Sequence, residues 1–174
     1  MSTVLVAGIG NLFLGDDAFG IEVVRRMRAQ PLPAGIDAVD FGIRGIDLVY
    51  ALLDGYDAAV LVDAVSRGGT PGSLYVIEPE VEAGVPMLAA LHELDPQRVL
   101  QTVKAMNGRC RRLLLVGCEP GGLDEGGEGR IGLSPPVAAA VDPAVGKVWS
   151  LLEMLRGERR AEMRGQAAAK GGVS

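Results

Sequence analysis

The chain is short of the side chains from which most metal sites, disulfide scaffolds and aromatic binding faces are built. It has two cysteines, one histidine and only 4% aromatic residues in 174 positions. Cys110 and Cys118 flank an apolar run and would stand about 26 Å apart at strand rise, too far for a disulfide, so a reduced, cytoplasmic setting is expected. Few aromatics against 48% hydrophobic residues means a core of Val, Leu, Ile and Ala, as in parallel sheets buried on both faces. The sequence has no G-x-S-x-G, H-E-x-x-H, C-x-x-C or P-loop, which removes the familiar serine-hydrolase, zinc-protease, thiol-redox and nucleotide-hydrolase signatures. No run approaches the ~20 apolar residues of a membrane span. The apolar start, TVLVAGIGNLFLG, lacks a basic leader and runs into Asp16 and Asp17, so it reads as a core strand and loop and not a signal peptide.

Positive charge is also scarce outside one place. The net charge is −5, yet residues 156–174 hold five basic and two acidic residues, so the rest of the chain carries −8. An acidic body of this kind is a poor partner for nucleic acid. The basic end, with four glycines and few large apolar residues, reads as a frayed helix end passing into disorder. One domain over residues 1–155 and a disordered tail over 156–174 are therefore expected.

What remains is a regular alternation. Val4 to Ala7 reads as a buried strand, Asp16 to Arg28 as a helix with Phe19, Val23, Val24 and Met27 on one face, and Ile36 to Asp40 as the second strand. A helix from about Ile46 to Leu53 stops at Gly55, and Ala58 to Val62 is a third strand. The order β-α-β-α-β predicts parallel strands with right-handed crossovers. After the turn cluster Arg67 to Gly72, Leu74 to Ile77 suits a short antiparallel edge strand. Asp95-Pro96 opens a third helix that ends at Asn107-Gly108, and Leu113 to Val116 is the fifth strand. A glycine-rich loop leads to Ser134-Pro135 and a last helix, kinked or broken near Pro143. The fold class is α/β: an αβα sandwich around a mostly parallel sheet of about five strands, one of them antiparallel.

The chemistry gathers at strand ends. Gly8-Ile9-Gly10-Asn11 superficially resembles a dinucleotide-binding loop, with Asp37 and Asp40 near where a ribose-binding acid would lie. Phe13 in place of the third glycine, and two acids where a pyrophosphate needs donors, argue against it. Asp16 and Asp17 at a helix start invite a capping role; with Asp16 as the cap, Asp17 is free to project above the first strand. Asp63 ends the third strand, beside the first in a sheet of order 2-1-3, where ligands bind. His92 lies before the third helix, within reach of the same crevice. Two carboxylates and an imidazole suit an incompletely bound divalent metal such as nickel, zinc or iron. Cys118 as a nucleophile beside His92 is the weaker alternative to a small buried core residue.

Gly8-Ile9-Gly10-Asn11 with Leu14, Asp16-Asp17 and Gly20 resembles the N-terminal signature of the [NiFe]-hydrogenase maturation endopeptidases. Leu61-Val62-Asp63-Ala64, Pro71-Gly72, His92, Leu115-Val116-Gly117 with Pro120, and Gly132-Leu133-Ser134 follow in that family's order. The resemblance implies a twisted mixed sheet between helices and an enzyme that removes a C-terminal extension from a hydrogenase large-subunit precursor once nickel is inserted. It further implies that Asp17, Asp63 and His92 are the catalytic and nickel-contacting residues, and that the nickel arrives with the precursor and is not tightly held by the free enzyme. A monomer is expected, with no nucleic-acid or membrane partner. One departure stands out. The family's loop after the second strand reads Asp-Gly-Gly-Thr-x-Gly, and here it is Asp40-Phe41-Gly42-Ile43-Arg44-Gly45. A nickel-binding chaperone without peptidase activity and a nucleotide-binding α/β enzyme are the alternative readings.

Overall fold

The computed structural model describes residues 3–78, 102–106, 108, 110–121 and 131–171. His92, the start of the expected third helix and most of the glycine-rich loop lie outside the described residues. Five strands form one sheet of order β2-β1-β3-β5-β4: β1 (Val4–Ile9), β2 (Ile36–Gly42), β3 (Ala58–Ala64), β4 (Leu74–Ile77) and β5 (Arg112–Cys118). The first three and β5 run parallel, and β4 pairs antiparallel on the outer edge of β5. The mixed sheet expected from the alternation of elements is the one observed.

Period-two alternation distributes the core. Val4, Val6, Val60, Val62, Leu114 and Val116 point to one face and Leu5, Ala7, Ile9, Ala59, Leu61, Leu113 and Leu115 to the other, as successive side chains on a strand must. The first face is covered by α1 (Phe19–Arg28), through Phe19, Val23 and Met27, and by α3 (Pro135–Gly171), through Val137, Ala144, Val148 and Leu152. The second is covered by α2 (Gly45–Asp54), through Leu48, Val49 and Leu52, with Val103 from a helical segment at 102–105. The cysteines sit on opposite faces, Cys118 in the first core and Cys110 in the second. That arrangement excludes a bridge between them on geometry as well as distance.

Two features differ from expectation. The last helix continues across Pro143 without a break and stays helical to Gly171, where the sequence suggested disorder from Arg156. Its far half is fastened by charge: Arg159 donates to the buried Asp57 at 3.0 Å, and Arg112, at the start of β5, pairs with both Glu78 and Glu158. The first helix also begins later than Asp16. Residues Gly15–Ala18 form a 3-10 turn, here called η1, and α1 follows from Phe19.

The approach of α1 to the sheet is governed by glycine. A Cβ on Gly20 would lie 2.0 Å from the Val62 carbonyl oxygen and 2.5 Å from that of Ile9, and one on Gly8 would lie 2.5 Å from the Gly20 carbonyl oxygen. The helix start therefore rests directly on the backbone of β1 and β3. Gly20→Ala should destabilise the fold by on the order of 3 kcal/mol, as overpacking against immovable backbone does. Gly146→Ala, at an exposed helical position with nothing within 4 Å of the added carbon, should be stabilising by up to about 1 kcal/mol. Urea unfolding of the two variants checks the contrast.

Candidate active site

The sheet reverses its winding between β1 and β3, and their carboxyl ends form the crevice where doubly wound proteins bind ligands. From Ile9 the chain turns through Gly10, at φ 134°, a value that disfavours any side chain. A Cβ on Gly10 would fall 1.7 Å from the Asp17 carbonyl oxygen, so loop and turn lie backbone on backbone. The Asn11 side chain accepts a hydrogen bond from the Phe13 N–H at 3.0 Å, and the N–H groups of Leu14 and Asp17 donate to the carbonyls of Asn11 and Leu14. These small closures bring η1 to the end of β3.

Asp17 and Asp63 meet there. Burial raises the carboxyl of Asp17 above its ordinary value, opposed by a hydrogen bond from the Asn11 backbone. Asp63 is raised further, to about 7, first by burial and then by the charge of Asp17, against a single bond from the Ala64 N–H to its Oδ1 at 2.8 Å. The two acids are close enough to resist joint ionisation. One of the pair thus holds a proton near neutral pH, the condition that suits proton transfer or exchange of that proton for a cation. Among the described residues no group of three His, Cys, Asp or Glu side chains converges as a metal site.

Asp16 is not the cap that the sequence suggested. Neither η1 nor α1 has a side-chain cap bond. Asp16 is instead 3% exposed, and its carboxylate accepts from the Gly121 N–H at 2.7 Å, the Ser134 N–H at 2.6 Å and the Ser134 hydroxyl at 2.8 Å. A local role was expected and a long-range tether is found. Nothing in the spacing announces a bond across 118 residues.

Sequence reasoning also passed over Glu119. This buried side chain accepts from the N–H groups of Arg67 and Gly68 and from the Tyr75 hydroxyl at 2.8 Å. Burial works against its ionisation, but the bonds from Tyr75 and from the backbone of Arg67, Gly69 and Gly68 outweigh it and lower its carboxyl. It shapes the turn that follows Asp63. A charged residue directly after an apolar strand, with a glycine pair elsewhere to supply donors, was the available signal.

Other candidates separate from the crevice. Asp37 sits near the amino end of the edge strand β2, opposite Leu5, and accepts from the Tyr56 hydroxyl at 3.0 Å, so it is not a ribose-binding acid. Cys118 is fully buried, and burial, with Asp16 and Glu119 adding to it, lifts its thiol to about 11, which removes it as a nucleophile. Beside η1 a groove of about 540 Å³ opens between Phe13 and Ala18 on one wall and Leu133, Ala138 and Val141 on the other.

Residues 21–151 match the family model described as hydrogenase maturation protease. The chain belongs to the hydrogenase maturation proteases. It is 36% identical over 146 residues to the hydrogenase expression/formation protein HupD of Rhodobacter capsulatus, spanning 82% of this chain and 67% of that one. It is 31% identical to the hydrogenase 2 maturation protease of Escherichia coli, over 86% and 90% of the two chains. The solved hydrogenase maturating endopeptidase HybD from E. coli superposes with a TM-score of 0.70 at 27% identity, covering 87% of this chain and 93% of that one. A hydrogenase 2 maturation peptidase from a Thaumarchaeota archaeon gives 0.66 at 30%, covering 87% and 99%. The family's chemistry is peptide-bond hydrolysis, and the nucleotide-enzyme reading falls away.

For this maturation protease the raised carboxyl of Asp63 makes a signed prediction. A group with a raised folded pKa contributes stability that is complete below its unfolded value and is lost as pH climbs through the folded one. Between an unfolded value of 3.8 and about 7, the wild type should therefore lose stability that Asp63→Asn retains. Urea midpoints should coincide at the acid end and diverge towards pH 8, with the variant the more stable. For Cys118→Ala the expected cost is about 1 kcal/mol of packing, with peptidase activity kept.

Proposed function

We propose that this chain removes the C-terminal extension of a [NiFe]-hydrogenase large-subunit precursor after nickel insertion, with Asp17, Asp63 and His92 as the catalytic and nickel-contacting residues. The observation that carries the reading is the convergence of Asp17 and Asp63 at the switch point of the sheet, with Asp63 drawn up to about 7 by burial and then by its neighbour. Two acids that share one proton give it up readily to an arriving cation. The precursor brings its cysteine-bound nickel to these carboxylates and to the imidazole of His92, which complete the coordination and lay the adjacent peptide bond in the crevice. Binding positions the bond, and a carboxylate of the pair serves as the base that takes a proton from the attacking water. Without a thiolate of its own, the free enzyme holds the metal weakly.

The altered segment, which forms the end of β2 and the turn after it, supports a role in sorting precursors. Arg44 donates to the carbonyls of Asp40 and Phe41, so its backbone is drawn into a tight turn that leaves Ile43 72% exposed, and Phe13 across the same rim is 66% exposed. Apolar side chains offered to water beside an active site suit a complementary apolar segment of the substrate. A cytoplasmic monomer is part of the same proposal. Among the described residues no helix is long and apolar enough to cross a membrane.

Incubation with candidate large-subunit precursors, with and without nickel, followed by intact-mass measurement, tests the proposal. Loss of a C-terminal fragment from the nickel-loaded form alone is expected. Asp17→Ala should abolish that loss with the fold intact, and His92→Gln should reduce it sharply. A precursor that binds and keeps its length would favour the chaperone reading.

A further inference from the structure

We propose that Asp16 is the positioning residue that holds Asp17 in place, by tying the active-site turn to the chain just after β5 and just before α3. The inference rests on the function proposed above and adds a residue to its machinery. Asp16 is turned away from Asp63, and its three side-chain bonds among the described residues run to Gly121 and Ser134.

The need for such a residue follows from the weakness of the turn. Four residues of 3-10 geometry have poorer hydrogen bonds than a helix, and here the bond from the Asp17 N–H to the Leu14 carbonyl that opens the turn is 3.2 Å long, as is the one from Leu14 to Asn11 in the loop before it. No side chain caps it. The turn also has an exacting task, because it must hold the half-buried Asp17 over the end of β3 beside Asp63. Left to local bonds alone, the turn would relax and carry Asp17 away.

Asp16 opposes that relaxation. Its bonds are 2.6 to 2.8 Å long, in the short range of charge-assisted hydrogen bonds, and they are sheltered from water. The partners are fixed to the frame: Gly121 follows β5 by three residues, and the Ser134 carbonyl already accepts from Ala138 in the first turn of α3. The fit leaves no slack, since a Cβ on Gly121 would lie 2.9 Å from the Ser134 hydroxyl and 3.2 Å from Asp16 Oδ2. Adjacent residues of one turn thus divide the work: one carboxylate faces the frame and the next faces the substrate.

Single-turnover cleavage of a nickel-loaded large-subunit precursor, by variants confirmed as folded at the assay temperature, reads the effect. Displacement of a reacting group by a fraction of an ångström to an ångström costs up to about a hundredfold in rate. The saturated rate should fall about threefold for Ser134→Ala, about tenfold for Asp16→Asn and about a hundredfold for Asp16→Ala, on that same scale. The half-saturating concentration should move little. Arg159→Ala, which loosens the fold far from the crevice, should leave the saturated rate unchanged. A wild-type saturated rate in Asp16→Asn, or a loss confined to half-saturation, overturns the proposal. Amide hydrogen exchange of the free protein tests it without any substrate: in Asp16→Asn the Leu14 and Asp17 amides should lose protection together with Ser134, while β1 and β3 keep theirs. Unchanged protection in the turn, or a loss spread evenly over the sheet, also overturns it. Should neither Asp16 variant fold, Ser134→Ala carries both measurements. If the wild type cleaves no precursor, the proposed function falls while the exchange measurement still decides the tether.

Discussion

The contact of backbone with backbone at Gly20 is the constraint on which the rest depends. Main-chain atoms of α1 can rest on the carbonyls of Ile9 and Val62 because no side chain intervenes, and that seat fixes how far η1 extends over the end of β3. Were the helix to ride higher by the width of a methyl group, Asp17 would leave Asp63 and the coupling between them would vanish. Gly8 and Gly10 act in the same way from the strand side. Three small residues therefore do for the crevice what a metal or a disulfide does in other folds: they set a distance.

Among the described residues four buried or half-buried carboxylates lie near this crevice, and the donors around them decide what each does. Asp16 and Glu119 are surrounded by N–H and hydroxyl groups and serve as fasteners, one for the turn before α1 and one for the turn after β3. Among the described residues Asp63 has one backbone donor, Ala64, and Asp17 has one, Asn11. Burial without enough donors leaves their charge poorly compensated. Acids with several donors hold the frame, and those with fewer among the described residues face the space where chemistry happens. The same residue type is split by its hydrogen bonds into structure and function.

Much of the fold was legible in the chain. Continuous apolar runs such as Ala58 to Val62 mark strands buried on both faces, the spacing of Phe19, Val23 and Met27 marks a helix face, and the short Leu74 to Ile77 run after a turn cluster marks an edge. Asp63 could be placed because strand order and strand end together locate a switch point. The misreadings have a common origin. Asp16 looked like a cap because caps are local and its partners are not. Glu119 was overlooked because its donors come from a turn some fifty residues earlier. The helical backbone beyond Leu155 was hidden because polar composition reads as disorder, whereas the pairing of Arg159 with Asp57 becomes visible only when the fold brings them together.

That last pairing has a further consequence. Beyond Leu155 the far half of α3 has no fully buried apolar side chain among the described ones, and it is held to the amino ends of the strands by Arg112 and Arg159. Such attachments respond to ionic strength, since the screening length shrinks from about 10 Å at 0.1 M salt to about 3 Å at 1 M. The pairs of Arg112 with Glu78 and Glu158 are the more exposed, and that of Arg159 with Asp57 is the more sheltered. Concentrated salt therefore frees this end of the helix in two stages, outermost pair first, while the crevice at the opposite end of the sheet, built from short hydrogen bonds and glycine contacts, is left as it was. The molecule has an electrolyte-sensitive end and an electrolyte-indifferent one, and its chemistry is housed in the second.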